Sequence, residues 1–260
     1  MRGKSVESHC TGRFALALSN DRLAGLKWAM RILAFDASTE ACAAALYDGA
    51  RWLERTEHAG SRHSERLLPM VHALLADAGL SLRELDGIAF GAGPGSFTGL
   101  RIACGVAQGL AFGADLPVVG VGTLEAMAEA ARRAHGWKRV ATALDARMRE
   151  IYFAAFDREA EIWRAQIEPC VISPGTAALP AGRWFGVGNG FAAYPALHEQ
   201  LGGALIECAE GMLPTAIAIG ELALPRFAAG ESVSAHEASP LYVRHRVALT
   251  SGERNAGQRL

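Results

Sequence analysis

The stretch Gly91-Ala92-Gly93-Pro94-Gly95-Ser96-Phe97-Thr98-Gly99-Leu100-Arg101 constrains the fold most. It joins an apolar run, Ile88 to Phe90, to a small-residue segment from Ile102 to Phe112. The run reads as a strand and the segment as a helix packed closely on it. Glycines at 91, 93 and 95 allow positive φ, Pro94 stiffens the turn, and Ser96 suits an N-cap. Backbone N–H groups would then point outward at a helix N-terminus, where an anion could sit. The familiar labels fail. No lysine completes a Walker A loop, Arg101 being the first cation, and Asp115 precedes the strand whose end a dinucleotide fingerprint would need. Pro94 breaks the Gly-x-Ser-x-Gly elbow. A tight turn without a ligand is the competing reading.

The 260 residues suffice for an independent core and for two lobes. With 26 basic against 27 acidic residues, no overall field advertises a nucleic-acid or membrane partner. Cysteines at 10, 42, 104, 170 and 208 form no Cys-x-x-Cys, which excludes a zinc ribbon or thioredoxin-type motif and fits reduced thiols in the cytoplasm. No apolar run reaches transmembrane length. Residues 1–29 make a poor export signal and read as a poorly ordered addition, or a mis-called start, before a domain opening at Met30.

Ile32 to Phe35 is an apolar run ending in Asp36, a buried strand delivering a carboxylate to its edge. Cys42 to Tyr47 and a run near Arg51 to Thr56 flank the hairpin signal Asp48-Gly49. Leu67, Met70, Val71, Leu74 and Leu75 then form one helical stripe, with Pro69 expected to bend the helix and Gly79 to close it. A strand at 117–121 and a helix from a capping Thr123 to about Ala134 follow. Val140 to Leu144 with Asp145 repeats the opening pattern. Asp36-Ala37 and Asp145-Ala146 are 109 apart (145 − 36), as are Asp48 and Asp157 (157 − 48). The alternation implies an α/β fold of two lobes on one plan, at 30–134 and 135–249, with a flexible tail at 250–260. Further elements are expected at Ile151 to Phe156, Trp184 to Val187, Phe191 to Leu201 and Pro214 to Phe227.

No histidine pair has the i, i+4 spacing of a helical metal site, so a protein-bound catalytic metal is not expected. Ser38, Ser64 and Ser96 stand at element starts and read as caps. Asp36 and Asp145 could face each other across a cleft and hold Mg²⁺ through water beside a nucleotide, or simply end their strands. Arg147, Arg149 and Glu150 read as a solvated charged turn. Leu68 lies off the main stripe and could remain exposed to a partner.

These motifs resemble the TsaB (YeaZ) family, the non-catalytic paralogues of TsaD in bacterial synthesis of threonylcarbamoyladenosine in tRNA. The block Gly93 to Ile102 is the most specific. Asp36-Ala37-Ser38-Thr39, His63 to Pro69, Asp145 to Tyr152 and Pro240 to Arg244 support it, over Met30 to about Ala248. The resemblance implies two RNase H-like lobes of the actin/Hsp70/sugar-kinase superfamily. It implies no catalytic residue and a cytoplasmic subunit that activates TsaD for modification of the adenosine beside the anticodon of ANN-decoding tRNAs. Other partners implied are the ATPase TsaE, tRNA through the complex, TsaC as source of threonylcarbamoyl-AMP, and a second copy when alone, with no membrane. The partner face carried over by position comprises His63, Leu67, Leu68, Met70, Val71 and Leu74 on one helix and Ser96, Phe97, Leu100 and Arg101 on the next. Asp36, Ser38, Gly93, Gly95 and Asp145 are the cleft residues. No cofactor is expected to bind firmly, with ATP or ADP and Mg²⁺ at complex interfaces. TsaD's His-x-x-x-His pair is missing, and Ala37 replaces the usual threonine of the first turn. The alternative is a nucleotide-dependent hydrolase or transferase using Asp36, the Gly93–Gly99 loop and Asp145. A peptidase would need a nucleophile–base pair that the sequence does not display.

Overall fold

A computed structural model describes residues 30–244; the expectations for 1–29 and for the tail lie outside them. Two five-stranded sheets carry the same plan. In the first, β1 (Ile32–Asp36), β2 (Ala41–Tyr47) and β3 (Trp52–His58) form an antiparallel meander. After α1 (His63–Ala78), β4 (Gly87–Gly93) adds parallel to β1. After α2 (Phe97–Ala114), β5 (Val118–Gly122) adds parallel to β4. The order is β3-β2-β1-β4-β5.

Then α3 (Thr123–His135) leads into the second sheet: the meander β6 (Arg139–Asp145), β7 (Ile151–Glu159), β8 (Ile162–Ile172), then β9 (Trp184–Val187) parallel to β6. Two short helices, α4 (Asn189–Ala193) and α5 (Pro195–Leu201), precede β10 (Leu205–Ala209), parallel to β9. The order, β8-β7-β6-β9-β10, repeats the first sheet strand for strand. The 109-residue offset is therefore a structural duplication with RNase H-like topology, as the resemblance implied. The last helix among the described residues is α6 (Ala216–Ala228), capped by Thr215, whose hydroxyl accepts from the Ala218 N–H at 3.1 Å.

Strand alternation sorts the core into layers. Leu33 and Phe35 meet Leu67, Val71 and Leu74 of α1 and Ala103 and Ala107 of α2 on the outer face. Ile32, Ala34 and Ala89 meet Ile219, Ala223 and Leu224 of α6 on the other. The second sheet packs Val140, Leu144 and Phe156 on α3, and Ala141, Ala143 and Phe153 on Phe191 and Leu197 of α4 and α5. Thus α3 and α6 lie between the sheets.

Three details differ from expectation. The helix expected across Phe191 to Leu201 breaks at Tyr194, which is extended (φ −134°) because the residue before Pro195 is pushed out of the helical region. Thr123 opens α3 but does not cap it: Gly122 holds the cap position, and the buried Thr123 hydroxyl has no partner among the described residues. Residues 216–244, expected with the second lobe, return to the first, because α6 buries its apolar face on β1 and β4. Pro69 lies inside α1, a single helix from residue 63 to 78. Gly79 ends α1 in the left-handed conformation, as expected.

Candidate functional site

Asp36 ends β1 but does not line the cleft between the lobes. It is 1% exposed. Its Oδ2 accepts from the Ser38 N–H (3.1 Å) and hydroxyl (2.9 Å), while Oδ1 has no partner among the described residues. Burial raises its pKa to about 6 against the lowering effect of the Ser38 bonds. The glycine loop packs on this turn. A Cβ at Gly91 would strike the Asp36 carboxylate, one at Gly95 the Ser38 carbonyl, and one at Gly99 the Ala37 carbonyl. The Ser96 N–H donates to the Ser38 carbonyl at 2.7 Å. Of the three glycines expected at positive φ, only Gly93 has it (φ 117°). The others are glycine for close approach to the 36–38 turn. Ser96 does cap α2, accepting from the Gly99 N–H at 3.3 Å.

Asp145, by contrast, lines a cleft of about 600 Å³ where the carboxyl edges of the two sheets meet. It accepts from the Tyr194 hydroxyl and the Arg147 N–H, both at 2.8 Å, and pairs with the Arg147 guanidinium at 3.3 Å. Its own N–H donates to Asn189 Oδ1 at 2.9 Å. Asp36 does not line this cleft, so of the two readings of these acids the facing pair that could hold Mg²⁺ through water is not formed. Ser38 and Gly95 line the first-lobe wall with His63, Ser96, Phe97 and Thr98, whereas Gly93 does not.

The turn expected to be merely solvated is held. Arg147, Met148 and Arg149 are consecutive left-handed residues (φ 61°, 55° and 61°). Arg244 donates to the Ala146 carbonyl (3.1 Å) and to Glu150 (2.5 Å) across the turn. The segment leading to Arg244 is a strap over the first lobe. Gln108 donates to the Ala238 carbonyl at 2.9 Å, the Leu241 N–H to Ala92 at 2.7 Å, and Arg101 to the Tyr242 hydroxyl at 3.2 Å. The sequence gives no periodic signal for the strap, because its partners lie 94 to 149 residues away (244 − 150 and 241 − 92).

The helix residues divide. Leu67, Met70, Val71, Leu74 and Leu100 are buried in the chain's own core, and His63 is buried beside it. This corrects the partner face: the stripe with the strongest periodicity packs on the sheet, so it is not available to another chain. Leu68 (41% exposed), Ser96, Phe97 (45%) and Arg101 remain at the surface. Sequence reasoning missed the rest of the outer face. On α2, Gly105, Gly109 and Gly113 recur every fourth residue, each exposed with open space where a Cβ would stand, beside Phe112 at 83% exposure. The Gly-x-x-x-Gly spacing was the available signal.

The family model described as TsaD, tRNA N6-adenosine threonylcarbamoyltransferase, matches residues 56–192. The tRNA threonylcarbamoyladenosine biosynthesis protein TsaB of Escherichia coli K12 is 41% identical over 224 residues, covering 84% of this chain and 96% of that protein. TsaB of Haemophilus influenzae is 43% identical over 229 residues, covering 84% and 95%. Among solved structures, YeaZ from Pseudomonas aeruginosa is 40% identical with a TM-score of 0.75, covering 82% of this chain and 99% of that one. A second Pseudomonas aeruginosa structure, described as an uncharacterized protein with similarity to peptidase YEAZ, is 41% identical with a TM-score of 0.78, covering 83% and 100%. Ser38 here bonds to a buried carboxylate and Ser96 caps a helix. With its duplicated lobes of the actin/Hsp70/sugar-kinase type, the chain belongs to the TsaB (YeaZ) family.

Proposed function

We propose that this chain is a non-catalytic subunit in the synthesis of threonylcarbamoyladenosine in tRNA, and that it pairs with TsaD through the outer face of α1 and α2. One observation carries the reading. Of three exposed glycines along α2, Gly105 and Gly109 lie in its interior and each costs roughly 0.5–1 kcal/mol relative to alanine, with Gly113 in the last turn. Among the described residues nothing occupies the space above them. Such a stripe lets a second helix approach backbone to backbone. Phe112 and Leu68 are apolar on the same outer layer, since α1 and α2 cover one face of the first sheet.

On this reading the stripe pairs two copies when the chain is alone and is given up to TsaD in the complex, so the two states compete. TsaE joins that complex and TsaC supplies threonylcarbamoyl-AMP, in the cytoplasm. Any ATP, ADP or Mg²⁺ belongs at subunit interfaces, because Asp36 is buried behind Gly91 and bonded to Ser38. No described helix is long and apolar enough to cross a membrane.

The test is titration calorimetry with TsaD of the same cell. Gly109→Leu and Leu68→Glu alter exposed positions and are expected to remain folded but to abolish pairing. Unchanged affinity in both would overturn the face. Leu67→Glu is not a test, since Leu67 is core.

A further inference from the structure

Four residues of α2 fasten the strap, and their spacing puts them on one stripe of the helix. Phe97, Arg101, Cys104 and Gln108 recur at i, i+4, i+7 and i+11. The Phe97 ring packs on Tyr242 with centroids 5.8 Å apart, and Arg101 Nε donates to the Tyr242 hydroxyl at 3.2 Å. The Cys104 thiol (3.4 Å) and the Gln108 amide (2.9 Å) both donate to the Ala238 carbonyl. The sheet adds the bond from the Leu241 N–H to Ala92 and a two-way bridge between Val118 and Val233, at 2.8 and 2.9 Å. Helix α2 thus carries three stripes: alanines on the sheet, these four residues on the strap, and the open glycines. Gly105 and Gly109 each directly follow a strap residue, so the open stripe borders the strap's anchors.

The far end of the strap reaches the second lobe through one side chain. Among the described residues, every hydrogen bond from the strap to that lobe comes from Arg244 and ends on the turn between β6 and β7. A single nitrogen, Nη2, spans both ends of that turn, the Ala146 carbonyl and the Glu150 carboxylate, while Nη1 meets Met148 Sδ at 3.6 Å. The Arg244 side chain is only 12% exposed, so these charge-assisted bonds are largely shielded from water. The turn needs such a hold. Arg147, Met148 and Arg149 are successive non-glycine residues in the left-handed region, a conformation that persists only when the surroundings enforce it. Ala146 and Arg147 line the cleft beside Asp145, so the form of the turn sets the shape of that wall.

We propose that the strap is an interlobe clasp: seated on α2, it holds the 146–150 turn in its left-handed form, so that a change at the outer stripe of α2 is felt at the cleft wall. The turn, held or relaxed, is the two-state element that such coupling requires. The device does not depend on which partner α2 takes.

Amide hydrogen exchange of the full chain, followed residue by residue by NMR, tests it. The probes are Ala146, Arg147 and Glu150, whose N–H groups are bonded within the turn. Arg244→Gln breaks the second-lobe end and should speed their exchange by about tenfold or more. The double variant Gln108→Ala, Tyr242→Ala loosens only the first-lobe end and alters no residue of the turn, yet should speed the same three amides. Strands β1, β4, β6 and β7 should exchange as in the parent in both variants. Turn exchange unchanged in the double variant would overturn the proposal and leave the strap as packing. Acceleration spread evenly over both sheets, which is global loosening, would overturn it too. So would turn amides too fast to follow in the parent, since the turn would then not be held.

Discussion

Asp36 is an acid held where its charge is unwelcome. Its folded pKa, about 6, exceeds the ordinary 3.8, so the native state binds the proton more tightly than the unfolded chain does. Its contribution is therefore fully present below the ordinary value and is lost as pH rises through about 6. The stability of Asp36→Asn relative to the parent should shift by about 2 kcal/mol in the variant's favour between about pH 4 and pH 7. Urea unfolding of both proteins across that range checks it, and parallel curves would contradict it. Gly99→Ala, which drives a methyl into the Ala37 carbonyl, should destabilise by about 1–3 kcal/mol in the same assay. An acid ending an apolar run was legible in the sequence. Its turn inward was not, because that depends on Gly91 leaving room from a strand 55 residues further on (91 − 36).

At the scale of the element, α2 shows one helix under two demands. Its inner stripe, Ala103, Ala107 and Ala111, packs closely on the sheet, while its outer glycines pack on nothing among the described residues. The combined variant Gly105→Ala, Gly109→Ala and Gly113→Ala should stabilise the isolated chain by roughly 1.5–3 kcal/mol. The same variant should weaken pairing with TsaD. Thermal unfolding and calorimetry together check this, and a variant that gains stability with pairing intact would separate the glycines from the interface. Periodicity located α1, but the partner face carried over by position from the resemblance took in its periodic stripe, and a regular apolar stripe reports burial in the chain's own core. The sequence analysis did not anticipate β8. It is an edge strand with Pro169 inside, tolerated where no further strand needs its N–H.

For the whole molecule, a buried ionic knot joins the layers. Glu129 of α3, 2% exposed, accepts from Arg132 (2.7 Å), Arg158 (2.5 Å) and the Trp163 indole (2.8 Å) of the second sheet. Arg132 and Arg133 also pair with Glu221 of α6. Burial would raise the pKa of Glu129, but Arg132, Trp163 and Arg158 together hold it below the usual carboxylate range. Glu129→Ala leaves Arg158 buried without its main partner and should cost about 3–5 kcal/mol. With a lowered pKa, the stability that Glu129 supplies is present above the ordinary glutamate value and fades as pH falls through the folded one. The parent should thus lose its advantage over Glu129→Gln in acid, and an advantage independent of pH would contradict this. The duplication behind this architecture was legible from two repeated acids. The return of α6 and the strap to the first lobe was not, because no local pattern records which sheet an apolar helix will cover.

The central claim is that this chain serves threonylcarbamoyladenosine synthesis through its α1/α2 face. The most direct measurement is the threonylcarbamoyladenosine content of bulk tRNA, by mass spectrometry, in cells depleted of this protein and resupplied with the parent chain or with Gly109→Leu. The expected result is a fall on depletion, recovery with the parent, and no recovery with Gly109→Leu expressed at equal level. Modification unchanged by depletion would contradict the function, and full recovery with Gly109→Leu would contradict the face.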